Sequence, residues 1–397
     1  MLLGAEEPAN IREGLRAFAL EVYMGKHEFT AKHHLTASDA QTLSINELLA
    51  YGSESTRNEF LTMDLGYTTT WGARALREAI ASTYDTITPD DVLVFTGAQE
   101  ALYWTMQMLV GRGDHAIVTV PNYQSMESVP ISTGADVSGL AIWEGSGSSL
   151  RWTLDLDRMR ALLRSNTKMV AVNIPNNPTG FVPDDATVRE LAAVCDARGI
   201  ALFSDEVFRG IELDESKRVP QIADLTPNGV SMNVMSKAYG LPGLRIGWIA
   251  SRNRDLLRRV ERAKHYTTIC NSGPSEFLAT LALQNGEAIK ARNRSIMNEN
   301  LPVFAAMMEP CQGALEWEAP DGGCVFFPRF LGVDGVEEFA ETLIQRRSAV
   351  VLPASVYSSQ LLEIPNDRFR IGIGRSHPEA GWRELQAHLL SKVAEAQ

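Results

Sequence analysis

Between Val92 and Ser251 the chain alternates short apolar runs with stretches whose apolar residues recur every three or four positions. No other feature restricts the fold as much. The runs include "DVLVF", "HAIVTVPNYQS", "DVSGLAIW", "KMVAVNIPNNPTG", "ALFSDEVF", "SMNVMSK" and "RIGWIAS"; several are β-branched, and most end in Gly, Pro, Asn or Ser. Between several of them lie segments of helical spacing such as "DRMRALLRS" and "DATVRELAAVCDARG". Strands with little polar alternation must be covered on both faces. The pattern therefore predicts a largely parallel sheet in an α/β domain.

Outside this region the pattern changes. Residues 10–30 and 45–52 have helical spacing and are joined by the polar stretch "TAKHHLTASDAQ". Beyond Gly273 comes a long helical stretch from about Glu287 to Met308. It is followed by strand-like "CVFFPRF", "SAVVLP" and "RFRIGIG", helical "VEEFAETLIQRR" and a last helix "GWRELQAHLLSKVAEA". A chain of 397 residues suits a large α/β domain with a smaller α+β one. The expected division is 1–60 as an N-terminal segment joining the small domain, 61–285 as the large domain and 286–397 as the small domain.

A formal charge of −12 argues against a general nucleic-acid or anionic-membrane binder, which needs a positive field. No window is apolar for long enough to span a bilayer. The opening "MLLGAEEPANIREG" has no basic flank or long apolar core, so no signal peptide is expected and the expected location is cytoplasmic. Cys195, Cys270, Cys311 and Cys324 are scattered without metal-binding spacing, as reduced and mostly buried thiols would be.

Four features fall where predicted strands end, the usual ligand crevice of an open α/β sheet. "TGAQEAL" (Thr96–Leu102) turns from strand to helix; it is either an ordinary turn or a helix N-terminus offering free N–H groups to a phosphate. "PNNPTG" (Pro175–Gly180) is a proline-bracketed turn able to hold an asparagine amide toward a ligand oxygen. "LFSDEVF" ends a strand on Asp205, whose carboxylate needs a cationic partner, either a structural salt bridge or a protonated heterocycle nitrogen. "MSKAYGLPGLRIGW" places Lys237 after a strand and Arg245 beyond a Gly-rich turn. These are two surface residues, or a desolvated nucleophile and a phosphate anchor. Together they ask for a ligand with a phosphate, a ring nitrogen, a phenolic oxygen and an aldehyde. Pyridoxal 5′-phosphate has all four.

The order "NNPTG", "SDEVF", "SKAYGLPGLRIGW" resembles the class I/II, aspartate-aminotransferase-like (fold-type-I) family of PLP-dependent enzymes, over about Gly66 to Arg375. The resemblance implies a mostly parallel seven-stranded sheet with a smaller α+β domain. It implies Lys237 as the Schiff-base lysine and Asp205 as partner of the pyridinium nitrogen. Asn177 would bind the ring oxygen and Tyr123 would stack on the ring. Ala98, Gln99, Ser236 and Arg245 would hold the phosphate, and Arg370 in "FRIGIG" would bind a substrate α-carboxylate. Tyr67 in "GYTTTWGARALR" would reach the partner subunit's phosphate, which makes the active unit a homodimer. Two positions depart from the family's pattern. Phe208 stands where a tyrosine commonly donates to the ring oxygen, and Val234 stands where a serine commonly meets the phosphate.

The implied reaction is transfer of an amino group from an amino acid to a 2-oxo acid. "VFRGIE" and "LTASDAQTLSINELL" are also similar to PLP enzymes that cyclise or oxidise arginine derivatives, so a lyase, cyclase or oxidase is the alternative. A PLP-sensing domain of a transcription regulator is a third possibility, disfavoured by the acidic charge. Substrate side chains would be read by loops and the N-terminal segment, including His33, His34, Ser38 and Asp39.

Overall fold

Leu202 and Phe203 are neighbours on one strand, both wholly buried, yet they belong to separate apolar clusters on opposite faces of a sheet. The same split separates Met169 and Ala171 from Val170 and Val172. Burial on both faces is why these runs lack polar alternation. The computed structural model describes residues 10–12, 15–28 and 30–395. Its central sheet has seven strands: β1 (Val92–Phe95), β2 (His115–Val120), β3 (Asp136–Ala141), β4 (Thr167–Asn173), β5 (Ala201–Asp205), β6 (Gly229–Val234) and β7 (Gly247–Ala250). Their order across the sheet is β1-β7-β6-β5-β4-β2-β3. All pairings are parallel except those of β7, which runs antiparallel to β6 and β1.

Register gathers the chemistry at one edge. Asp205 at the end of β5 pairs with Asn173 on β4 and Met232 on β6, so the loops bearing Asn177 and Lys237 leave the sheet beside it. This is the carboxyl end of the parallel strands, where a crevice forms.

The helix expected over residues 10–30 is shorter than its spacing suggests. Asn10–Arg12 and Leu15–Arg16 pair as antiparallel strands, and the helix α1 spans only Ala19–His27. Its start is fixed by tertiary contact rather than periodicity, since the Ala19 N–H donates to Gln124 Oε1 at 2.9 Å. The segment read for a signal peptide lies largely outside the described residues. "CVFFPRF" and "SAVVLP" also divide. Val325–Phe326 and Leu352–Pro353 both flank Phe369–Gly372, whereas Arg329–Phe330 pairs with Leu315–Glu316 and Ala349–Val350 with His33–His34. Pro328 interrupts the first run and lacks an N–H for a continuous ladder.

The polar stretch before Ile45 is not a solvated loop. Its His33–His34 strand pairs with the C-terminal part of the chain, and Thr36, Asp39 and Ala40 are buried. The long helix runs Gly286–Met308, with further helices at Gly335–Arg347 and Glu379–Glu395. Among the described residues no helix is long and apolar enough to cross a membrane, and no cluster of His, Cys, Asp and Glu is suited to a metal.

Candidate active site

A cavity of about 280 Å³ opens at the carboxyl edge of the sheet. Of the candidates named from the sequence, Ser38 and all the residues assigned to the cofactor or the α-carboxylate line it except Tyr67, which is 95% exposed elsewhere on the surface; His33, His34 and Asp39 do not line it.

At one end lies an anion cradle. A 12-residue helix, α2 (Ala98–Leu109), begins at the cavity, so its first N–H groups lack intrahelical partners. Gly97, at φ +94°, precedes it; a Cβ there would lie 2.6 Å from Arg245 Nη2. A Cβ on Gly247 would lie 2.7 Å from the Ala98 nitrogen. The two glycines thus let the guanidinium and strand β7 close on the helix start. Ser236 and Gln99 complete this wall.

At the floor, Asp205 is 6% exposed and its carboxylate accepts one hydrogen bond, from the Val207 N–H at 3.2 Å. No lysine or arginine forms an ion pair with it among the described residues. Burial therefore pushes its carboxyl up to about 6, against smaller opposing effects from the Val207 N–H and Lys237. Such a group asks for a cation. Asn173, which lies in the apolar run "KMVAVNIPNNPTG" with no role implied by the sequence, braces this corner. Its Nδ2 donates to the Asp205 carbonyl at 2.9 Å and its Oδ1 accepts from the Asn177 N–H at 2.6 Å.

Asn177 is oriented by its own acceptors. Its Oδ1 takes hydrogen bonds from Arg370 Nη1 at 3.0 Å and the Tyr357 hydroxyl at 3.4 Å, which leaves the amide nitrogen for a ligand oxygen. Phe208 is 1% exposed and packs against Gly323, where a Cβ would come within 3.1 Å of its ring. It brings no hydroxyl to the cavity, and Val234 likewise brings only apolar surface.

Lys237 Nζ donates to Ser38 Oγ at 2.7 Å, and the Ala40 N–H returns to the Lys237 carbonyl at 3.2 Å. Burial holds this ammonium below the ordinary lysine range; Asp39 opposes the shift and Arg370 adds to it. Arg370 is 3% exposed, with Nη2 donating to the Thr36 carbonyl at 2.6 Å and Nε left without a partner. Asp39 is itself held by Arg375 at 2.7 Å. The N-terminal segment thus grips the site at Thr36, Ser38 and Asp39. Ser38 and Asp39 stood in the sequence reading as substrate contacts; their contacts to Lys237 and Arg375 depend on packing over more than 190 positions and leave no local signal.

The donor set fits pyridoxal 5′-phosphate. The helix start with Arg245 suits the phosphate, and Asp205 suits a protonated ring nitrogen. The Asn177 amide suits the ring oxygen, and Lys237 the aldehyde. The comparison with known families agrees: the sequence profile described as Aminotransferase class I and II matches residues 43–389. The chain belongs to this family. Its members are PLP-dependent, and the fold is that of fold-type-I PLP enzymes.

Among relatives, the capreomycidine synthase of Streptomyces vinaceus is 29% identical over 92% of this chain and 92% of its own. The arginine–pyruvate transaminase of Pseudomonas aeruginosa is 32% identical over 45% of this chain and 46% of its own. A PLP-dependent aminotransferase structure from Streptococcus suis superposes with a TM-score of 0.86 at 28% identity, covering 94% of this chain and 98% of that one.

Proposed function

We propose that this enzyme moves the amino group of an α-amino acid to a 2-oxo acid. The carrying observation is that Arg370, buried and oriented by Asn177 and Thr36, opens onto the same cavity as Lys237 and Asp205. When bound, the cofactor supplies an aldehyde for the substrate amine and a ring that accepts the electron pair of the broken Cα–H bond. Arg370 forks onto the α-carboxylate and fixes the direction of that bond. Lys237, desolvated and so poised to lose its proton, would take the Cα proton as a base and deliver it as an acid to the carbon that carried the aldehyde. Asp205 retains the proton on the ring nitrogen, and the Asn177 amide donates to the ring oxygen.

The test is to incubate the loaded enzyme with single amino acids and identify products by mass. An oxo acid with pyridoxamine 5′-phosphate supports this reading. A second reading, a cyclase acting on an arginine derivative, is supported by the likeness to capreomycidine synthase along 92% of the chain. A ring-closed product that keeps its amine would replace the first reading by the second.

Arg370→Lys should lower kcat/KM for α-amino acids about 100-fold, because an ammonium cannot reproduce the two-pronged contact. The matching amines, lacking the carboxylate, should not share that loss. An equal loss for acids and amines would refute the carboxylate role.

The reading extends to a homodimer. Leu61, Leu65 and Tyr67 are 67%, 83% and 95% exposed, and Tyr266 and Ile269 are 89% and 53% exposed. The two segments meet, as Thr68 Oγ1 donates to the Asn271 carbonyl at 2.8 Å and Phe60 packs on Phe277. Clustered exposed apolar residues of this kind suit a second copy of the chain. Mixing Tyr67→Ala with Lys237→Ala protein should restore activity in exchanged heterodimers, which hold one intact site. No recovery after proven exchange would refute sharing of Tyr67.

A further inference from the structure

The charged side chains lining the cavity are Glu21, Asp205, Lys237, Arg245 and Arg370. The proposed reaction gives a task to all of them but Glu21. Resting on that reading, we infer that Glu21 receives a cationic group on the substrate side chain, so that the enzyme selects amino acids with basic side chains of the arginine or lysine type.

Glu21 is held in place by the surroundings of its helix. Gln124 clasps the start of α1 from both sides, accepting from the Ala19 N–H at 2.9 Å and donating to the Ala17 carbonyl at 2.9 Å. Arg16 pairs with the buried Glu127 at 3.0 Å, and the Phe18 ring lies 4.9 Å from that of Tyr123. These contacts seat the first turn of α1 on the loop after β2, which carries Tyr123. Glu21 Oε1 accepts the Tyr123 hydroxyl at 2.9 Å. No lysine or arginine forms an ion pair with it among the described residues, so its charge is available to the cavity.

Glu21 and Arg370 also share a neighbour in the cavity wall. Tyr123 lies within electrostatic reach of both Glu21 and Arg370. A substrate with its carboxylate on Arg370 would carry its side chain past Tyr123 toward Glu21. A positive terminus there gains a charge-assisted contact, whereas an acidic one meets repulsion from Glu21. Holding the Tyr123 hydroxyl requires only a neutral acceptor. The charge of Glu21 also complements the first turn of α1, a structural role that comparing a cationic with a neutral substrate separates from substrate binding.

The experiment compares L-arginine with L-citrulline, its neutral near-isostere, on the loaded enzyme, reading both kcat/KM and the saturation of the cofactor absorbance change. Wild type should prefer arginine about 10- to 30-fold, the lower range for a hydrogen bond to a charged group. Glu21→Gln retains an acceptor for Tyr123 but no charge, and should bring the two substrates to parity. Tyr123→Phe retains the charge, and should slow both substrates while the preference for arginine survives. Equal use of arginine and citrulline by wild type overturns the inference and leaves the functional reading standing. So does an equal loss for both substrates in Glu21→Gln, which marks a structural residue. If no α-amino acid of any charge changes the absorbance, the functional reading fails and the inference falls with it.

Discussion

Lys237→Ala should lose turnover by about 10⁴-fold or more, the upper range for a group that transfers the reacting proton. Borohydride treatment of the loaded wild-type enzyme should leave the cofactor on the peptide containing Ser236-Lys237-Ala238. The structure offers a real competitor for this assignment. Lys264 is wholly buried, and burial pulls its ammonium down to about 8. Desolvation alone would make it an equally good nucleophile. Its contacts say otherwise: Nζ donates to the Thr70 carbonyl at 2.6 Å, the Val94 carbonyl at 2.7 Å and Asn271 Oδ1 at 3.3 Å. An ammonium with three donors has all three engaged, and losing a proton would strand one of those acceptors. Lys264 therefore ties the Thr70 loop to strand β1, while Lys237 has only the Ser38 hydroxyl to release. Lys264→Met should destabilise the fold without moving the borohydride label. A label on the Lys264 peptide would overturn the assignment.

This contrast marks what the sequence could and could not disclose. The segments around Asp205, Asn177 and Lys237 were legible because each combines a buried strand with the turn residues that end it. Those features are encoded within a few positions. The contacts that complete the cavity are not local. Ser38 meets Lys237 across 199 positions, Tyr357 meets Asn177 across 180, and Arg370 meets Asn177 across 193. Ser38 and Tyr357 have nothing in their neighbouring residues to announce that role. The stretch containing Ser38 is polar, and polarity usually indicates solvent. Here the backbone pairs with Ala349–Val350 and the polar side chains turn inward to charged partners, so composition misleads about exposure. The misread start of α1 has a similar cause. Periodicity over 10–30 is compatible with one long helix, but the antiparallel pairing of Asn10–Arg12 and the Gln124 clasp end it early. Arg370, an edge-strand surface residue by its local sequence alone, is among the most buried charges in the chain.

Asp205→Asn should cut turnover about 10³-fold, since removing one member of a buried ion pair costs roughly 3–5 kcal/mol and each 1.4 kcal/mol is tenfold in rate. The amide is nearly isosteric but cannot hold a proton on the ring nitrogen by charge. A second readout needs no turnover. In the cofactor-free protein, burial holds the Asp205 carboxyl at about 6 against an ordinary 3.8, so the native state binds this proton more tightly than the unfolded chain. The resulting stabilisation is complete below about pH 4 and is lost as the pH rises through about 6, amounting to about 3 kcal/mol. Glu206, held at about 7 by burial, adds a loss of the same sign. Cofactor-free wild type should therefore weaken in denaturant between pH 4 and 7, and Asp205→Asn should weaken less over the same range. A cation placed against Asp205 reverses its share, because the carboxylate then becomes the favoured form. The loaded wild type should thus lose less stability than the cofactor-free protein across this range, and loading should make little difference to the slope of Asp205→Asn. If the cofactor-free variant and wild type share one slope, Asp205 is already paired in solution, and the argument that this corner is built for a ring cation fails.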